Sequence, residues 1–268
     1  MTRRATHAES GGPEGAGPKP EEAAGLLPHS VLTDYYADES RRRTFLNEIF
    51  DSTAATYDRT EKLIGFGMGS QYRRRALLQA GLAPGMRVVD VGMGTGLVAR
   101  QAIRIVGDPR LVTGVDPSAG MMAHANLPAG VSLLQGTGDA IPLPDASADF
   151  LSMGFALRHL SSLDGAFSEF FRVVRPGGRL CLLEITRPSS RAVQRVLKTY
   201  MKHIVPTVSQ LWDRGGRTRQ IWRYYWETIE ACVDPDTVMA QLRRAGFEQV
   251  ESVVECGIFC AYQARRPA

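Results

Sequence analysis

The sequence predicts an α/β chain built on a doubly wound, mostly parallel seven-stranded sheet, completed by an antiparallel C-terminal hairpin strand. Three observations predict it. Short apolar runs bounded by turn residues alternate with amphipathic stretches from Arg87 to Ile185, the pattern of parallel strands joined by right-handed crossovers and covered on both faces. The first run, Val88-Val89-Asp90-Val91, leads straight into Gly92-Met93-Gly94-Thr95-Gly96. The last two runs, Gln249–Cys256 and Phe259–Ala264, meet at Gly257 as a hairpin.

Taken in order, residues 1–32 are rich in Gly, Pro, Glu, Ala and Ser and show no periodicity. They are expected to be a disordered extension, with one domain over 33–268. Up to Gln79 the pattern is helical, with Phe45, Ile49 and Phe50 and then Tyr72, Ala76 and Leu77 at helical spacing around a glycine-interrupted stretch at Ile64–Gly69. Strands are expected at Arg87–Val91, Leu111–Asp116, Val131–Leu134, Ala148–Met153 and Gly178–Ile185. Helices are expected at Leu97–Ile105, Ala119–Ala125 and Asp164–Val174, the last stopping at Pro176-Gly177-Gly178. Over about 189–232 the alternation gives way to a helical, aromatic insert holding Tyr200, Trp212, Trp222, Tyr224, Tyr225 and Trp226. Such an insert suits a substrate lid, Trp222, Tyr225 and Trp226 supplying flat apolar walls, although core packing explains any single aromatic as well. A helix at Asp234–Ala245 precedes the hairpin.

The 268 residues are 44% hydrophobic and 22% charged, with a net charge of +4. That is an ordinary globular composition with enough chain for a sizeable core. The tight basic runs Arg41-Arg42-Arg43 and Arg73-Arg74-Arg75 read as solvated helix faces, with an anionic lipid surface or a phosphate as the functional alternative. No concentrated basic face marks a nucleic-acid binder. Four cysteines (Cys181, Cys232, Cys256 and Cys260) form no Cys-x-x-Cys pair, so neither a metal site nor a disulfide framework is expected, which fits a reducing cytoplasm. No apolar run approaches the ~20 residues of a membrane span, and no apolar segment follows Arg3-Arg4 as in a secretory leader.

The glycine turn carries the chemistry. Glycines after a buried strand let the backbone turn sharply and approach a ligand, and the following helix offers free N–H groups. Dinucleotide sites need a third glycine where this chain has Leu97, which disfavours an NAD-dependent dehydrogenase. Asp116 ends the second strand roughly 20 residues further on, where a carboxylate accepts hydrogen bonds from ribose hydroxyls. Gly138-Asp139 follows the third strand, where an acid suits an adenine amino group. Each acid alone would read as a cap or solvated turn. Three elements in order, at the carboxyl ends of successive strands, favour an adenosine crevice.

With these residues in view, the sequence resembles the Rossmann-like class I S-adenosylmethionine-dependent methyltransferases, and more narrowly the ubiquinone/menaquinone C-methyltransferase (UbiE-type) family. The resemblance runs from about Phe50 to Phe247. It rests on Phe50-Asp51-Ser52-Thr53-Ala54-Ala55-Thr56-Tyr57-Asp58, the glycine turn, Asp139-Ala140-Ile141-Pro142-Leu143-Pro144-Asp145, Gly154-Phe155-Ala156-Leu157-Arg158-His159 and Arg175-Pro176-Gly177-Gly178-Arg179-Leu180. It implies S-adenosyl-L-methionine as the cofactor, with Thr95, Asp116, Gly138 and Gly154 at contact positions. The candidate cofactor set is Tyr57, Gly92, Gly94, Thr95, Asp116, Met121, Gly138, Asp139 and Gly154. The sequence departs from the family at Met93, where Gly or Cys is usual, at Gly154, where Ser is usual, and at His159, where Asn is usual.

The methyl of a sulfonium is already activated, so the protein's task is to aim a nucleophile and control its charge. Arg158 and His159 follow the fourth strand and are the candidate catalytic pair. Arg158 would stabilise a substrate oxyanion and His159 would take a proton, against plainer readings as a structural ion pair and a satisfied polar residue. The expected acceptor is a quinol-like or prenylated aromatic methylated on carbon. The alternatives are an O- or N-methyltransferase of a small metabolite and a non-catalytic S-adenosylmethionine binder. A prenylated acceptor would bring a cytoplasmic chain into transient contact with the inner face of the membrane. The sequence does not decide between a monomer and a homodimer.

Overall fold

The computed structural model describes residues 25–64, 68–188, 190–209 and 217–268. Strand β1 (Val88–Val91) is buried at every position, as its unbroken apolar character requires. It pairs in parallel with β2 (Val112–Asp116) on one side and with β4 (Ala148–Gly154) on the other. Beyond β2 lies β3 (Ser132–Gln135), and beyond β4 lies β5 (Val174–Ile185), both parallel. At the far edge β7 (Phe259–Arg265) runs antiparallel between β5 and β6 (Glu248–Glu255). The order is β3-β2-β1-β4-β5-β7-β6, the expected doubly wound sheet with its C-terminal hairpin. Strand β5 starts four residues before the expected Gly178. Val174 already pairs with Ala148, and the Pro-Gly-Gly stretch is accommodated as a register shift beside the Arg175–Asp149 ion pair.

Helices cover both faces. On one, α5 (Leu163–Val173) and α9 (Pro235–Arg244) bury Phe167, Phe170, Val173 and Leu242 against the sheet. Ser162 and Asp234 cap these two helices, their side chains accepting from Gly165 N–H at 3.2 Å and Thr237 N–H at 2.8 Å. On the other face α2 (Gly69–Gln79) and α3 (Leu97–Val106) bury Leu77, Ala99 and Ala102. Cys181 lies fully buried in this layer, as its apolar run predicts. A third core lies beyond the carboxyl end of the sheet. There the long helix α1 (Glu39–Ile64) packs on the turn at Tyr200–Ile204 and on α8 (Arg217–Ala231) around Ile49, Met201, Trp222, Tyr224 and Trp226. Two short helices, α4 (Ala119–Ala123) after β2 and α7 (Val205–Ser209) before α8, and helix α6 (Arg191–Thr199) complete the chain. Trp212, and the glycine stretch at 65–67, lie outside the described residues.

The N-terminal expectation is corrected over residues 25–32. This segment crosses the third core as a strap: Leu26 C=O accepts from Leu163 N–H at 2.8 Å, Pro28 C=O accepts from Val233 N–H at 2.9 Å, and His29 bridges to Cys232. Pro28 and His29 are buried there. Composition marked the segment as too polar to fold, but its backbone finds partners on elements more than 130 residues away.

Met93, one of the departures noted above, is explained by its neighbour. Its thioether lies across the Cα of Gly114 in β2, so that a methyl at 114 would overlap Met93 Sδ. Met93 is 5% exposed. Bulk inside the turn is matched by lack of bulk on the adjacent strand. Gly114→Ala should therefore cost ~1–3 kcal/mol through overpacking, read as a lowered urea midpoint. The double variant with Met93→Ala should lose less than the two single losses added together. An unchanged midpoint for Gly114→Ala would mean that Met93 vacates the space freely.

Candidate active site

Strand order reverses between β1 and β4, because the crossover from β1 leads to one side of the sheet and the chain returns on the other. Loops leaving neighbouring strands at such a point diverge and open a crevice. A cavity of about 400 Å³ fills it. The turn after β1 shapes the floor. Gly92 and Gly94 have φ of +64° and +55°, in the left-handed region open to glycine. Gly92 and Met93 N–H both donate to Val115 C=O, at 2.8 and 3.2 Å. A Cβ at Gly94 would meet nothing within 4 Å, so the backbone there lies open to a ligand.

Asp116 closes one end. Its Oδ2 accepts from Gly94 N–H at 2.7 Å and its Oδ1 from Ser118 N–H at 2.8 Å, leaving lone pairs toward the cavity. Burial raises its pKa to about 6, against the opposing pull of those two amides. Asp90, one layer below and fully buried, accepts from Ser152 Oγ at 2.7 Å, and burial pushes it up to about 7. It ties β1 to β4 and does not line the cavity.

Of the eleven expected site residues, nine line this one cavity: Tyr57, Gly92, Gly94, Asp116, Met121, Gly138, Asp139, Gly154 and His159. Thr95 and Arg158 do not. Thr95 Oγ1 instead donates to Asp58 Oδ1 at 2.5 Å, and Arg100 Nη2 donates to the other oxygen of Asp58 at 2.9 Å. This clamps α1 to the start of α3. Asp139 faces Arg43 at 3.7 Å across the mouth. Gly154 also explains its departure, since a Cβ there would overlap Val98 Cγ2. The next residue, Phe155, has φ of +60°. A bulky residue in that region is strained, and it is held by its N–H to Leu183 C=O at 2.7 Å and by Arg73 over its ring at 5.0 Å.

The expected contact of Arg158 with substrate is not met in the main cavity: the residue borders only the smaller cavity behind it, and its charge is taken up by protein partners. It is 3% exposed and forms an ion pair with Glu184, itself 2% exposed, while its Nε donates to Thr228 Oγ1 at 3.3 Å. Arg42 Nη2 donates to the Arg158 carbonyl at 2.6 Å and lies 3.2 Å from His29 Nε2. The two basic runs are corrected at one position each. Arg42 and Arg73 are each 2% exposed and sit in buried networks, Arg73 pairing with Glu61 at 2.6 Å, whereas Arg41, Arg43, Arg74 and Arg75 are exposed as expected. The insert divides too. Tyr225 lines the main cavity and Trp222 a smaller one of about 60 Å³ behind it, whereas Trp226 is core, its Nε1–H donating to Glu230 at 2.9 Å.

His159 stands at the aromatic end of the cavity, stacked on Tyr224 at 5.7 Å and edge-on to Phe50 at 5.2 Å. Burial, then the charges of Arg158 and Arg42, hold its pKa well below 6.5. The ring is neutral at neutral pH and resists protonation. That weakens its expected part as a proton-keeping base and leaves it a hydrogen-bond acceptor.

Apart from Tyr57, the wall contributed by α1 was not foreseen. Arg43, Leu46, Asn47 and Phe50 line the cavity at i, i+3, i+4 and i+7 spacing, a periodicity legible in the sequence as a helix face but not as a cavity wall. Asp51 on the same helix accepts from Ser118 Oγ at 2.5 Å and from Gly120 N–H at 2.9 Å, holding the start of α4.

An open glycine turn, a carboxylate one strand over, and a walled pocket at the switch point of a β3-β2-β1-β4-β5-β7-β6 sheet define a class I S-adenosylmethionine-dependent methyltransferase. Solved structures with the same fold include an S-adenosylmethionine-dependent methyltransferase from Thermotoga maritima (TM-score 0.58, 22% identity, 82% of this chain and 99% of that one). Another is phosphoethanolamine N-methyltransferase 2 of Haemonchus contortus with S-adenosyl-L-methionine (TM-score 0.53, 16% identity, 74% and 53%). The chain belongs to the ubiE/COQ5 methyltransferase family, whose model matches residues 37–266. Among similar proteins are the ubiquinone/menaquinone biosynthesis C-methyltransferases UbiE of Shewanella halifaxensis (31% identity over 75% of this chain and 82% of that protein) and Pseudomonas aeruginosa (29%, 86% and 92%).

Two outcomes follow from this geometry. Asp116→Asn should raise the Kd for S-adenosylmethionine about 10- to 100-fold by calorimetry, since hydrogen bonds to a charged acceptor contribute ~1.5–3 kcal/mol each. Bound hydroxyl donors favour the carboxylate, so affinity of the parent should fall as pH drops through about 6, and the Asn variant should lose this dependence. Separately, Arg158→Met leaves Glu184 buried and unpaired and should destabilise the fold by ~3–5 kcal/mol. Adding Glu184→Leu should recover most of that loss in thermal melts.

Proposed function

We propose that this enzyme methylates a ring carbon of a quinol-like, prenylated aromatic acceptor. The observation that carries the reading is the continuity of one cavity, from Asp116 and the glycine turn to a wall of Phe50, Tyr225 and neutral His159. The names of the similar UbiE proteins support the acceptor class. Tyr57, Gly92, Gly94, Asp116, Met121, Gly138, Asp139 and Gly154 hold the cofactor. Thr95 acts through Asp58 by fixing the turn. When bound, S-adenosylmethionine supplies an electrophilic methyl on sulfur. The open backbone at Gly94 and the spare lone pairs of Asp116 fit its nucleoside.

The chain's own residues do the rest. A flat ring fits against the wall that Phe50 and Tyr225 form together. His159 accepts a hydrogen bond from the acceptor's hydroxyl, which raises electron density at the ring carbon; the proton displaced from that carbon leaves to solvent, since neutral His159 does not keep it. Its Nδ1 lies 3.5 Å from Tyr224 Oη, and the other ring nitrogen has no protein partner among the described residues. Arg158, through Glu184 and Thr228, is a positioning residue for the loop that carries His159. Within the helical insert over about 189–232, Trp222 and Tyr225 of α8 serve as the acceptor lid, excluding water from the aromatic end.

His159→Ala should lower kcat about tenfold, the worth of one lost hydrogen bond of ~1–1.5 kcal/mol, with the Kd for S-adenosylmethionine unchanged. His159→Asn, which keeps a polar partner, should recover part of the rate. Mass spectrometry of quinones from cells with and without the gene tests the acceptor. A species lighter by one methyl on deletion is expected, whereas unchanged quinone pools would overturn the quinol reading and leave another methyl acceptor.

A further inference from the structure

Helix α6 has no buried residue, although it belongs to the layer beside the aromatic end of the cavity. Leu197 and Tyr200 pack inward on the third core. Outward, Ala192, Val193, Arg195, Val196 and Thr199 are exposed, Val193 at 45% and Val196 at 70%, and Ile204 just beyond is 48% exposed. Isolated exposed aliphatics are ordinary; here three fall within twelve residues of one layer. The charge pattern is one-sided. From Arg187 through Lys202 the sequence carries Arg187, Arg191, Arg195, Lys198 and Lys202, and no Asp or Glu lies between Glu184 and Asp213. Lys198 and Lys202 pair inward with Glu230 and Glu227 at 2.9 and 3.1 Å, and Arg187 donates to the Glu230 carbonyl. Arg191 and Arg195 have no carboxylate partner among the described residues.

We propose that this face of α6 docks on an anionic lipid bilayer. Its chemistry fits that occupant: aliphatic side chains enter the headgroup boundary while arginines meet lipid phosphates. A second copy fits poorly, because a two-fold contact made by this face would offer Arg191 and Arg195 no acid from the same face of the other copy. Among the described residues no helix is long and apolar enough to cross a membrane, so the contact is peripheral. The face also backs onto the acceptor wall. Leu197 and Tyr200 share a core with Phe50, Tyr57 and Tyr225, and the small cavity of about 60 Å³, lined by Met201, Trp222 and Ile229, meets the main one at Tyr57, Phe155 and Tyr225. A bilayer held at α6 therefore lies against the core that carries the acceptor wall. This step rests on the acceptor reading above; the docking itself does not.

The test uses the full chain and vesicle flotation, with vesicles of phosphatidylcholine alone and of phosphatidylcholine containing about one-third phosphatidylglycerol. Binding is expected to the anionic vesicles only and to weaken as salt is raised. Arg191→Gln with Arg195→Gln should reduce partitioning on the order of 30-fold, from about fivefold per cation lost near the surface. Val196→Asn should reduce it with an unchanged salt dependence, because it removes apolar burial and leaves the charge as it is. The Kd for S-adenosylmethionine and the rate on a short-chain, water-soluble quinol should not change in either variant. No binding to anionic vesicles, or equal binding by parent and variants, overturns the proposal, as does a concentration-dependent dimer that these variants dissociate. Docking without quinol methylation would sink the acceptor reading alone, and quinol methylation without docking would sink this one alone.

Discussion

The hydrogen bonds that Asp116 makes to Gly94 and Ser118 fix the shape of the site. One carboxylate at the end of β2 fastens the turn after β1 to the start of α4. With Val115 C=O taking two further amides of the same turn, the glycine loop is set by the neighbouring strand rather than by its own sequence. A pre-shaped floor lets ligand binding proceed without ordering the loop, which is where binding free energy is otherwise lost. Asp116 is left buried and short of partners, with a raised pKa, the condition in which added donors are worth most.

A second constraint is electrostatic. Arg42, Arg158 and Glu184 are buried together beneath the loop that carries His159, and His29 of the N-terminal strap joins them. Buried charges are tolerated only when paired and hydrogen-bonded, so the network resists rearrangement. Burial keeps His159 neutral, and the network's positive charges act in the same direction. The residues that position the ring at the aromatic end of the cavity thus reinforce the protonation state that burial sets.

Most of the sheet was legible because its strands announce themselves locally. β1, β2, β4 and the hairpin are apolar runs bounded by turn residues, and their limits differ from expectation by only a residue or so. β5 was misjudged at its start because Pro176-Gly177-Gly178 reads as a break, and only the pairing of Val174 with Ala148 shows a continuing strand. The glycines and acids of the floor were legible for the same local reason: each follows a strand directly. Arg158 was not, because the residue before His159 in the chain turns its guanidinium away from the cavity into a pocket made by β5 and α8.

The sequence by itself determined the order of strands and helices, the glycine turn and the acid that faces it, since these follow from patterns a few residues long and from the fixed geometry of a strand entering a helix. Tertiary structure decided which arginines of two identical-looking runs are buried, that α1 forms a wall of the cavity, that residues 25–32 are strapped to the core, and that Gly114 makes room for Met93. In each case the deciding partner lies far along the chain: Arg42 from the Arg158 carbonyl by 116 positions, Asp51 from Gly120 by 69, Leu26 from Asp164 by 138. No local pattern encodes such a partner. The physical reason is that burial and charge pairing belong to surfaces that exist only once the sheet has brought distant segments together.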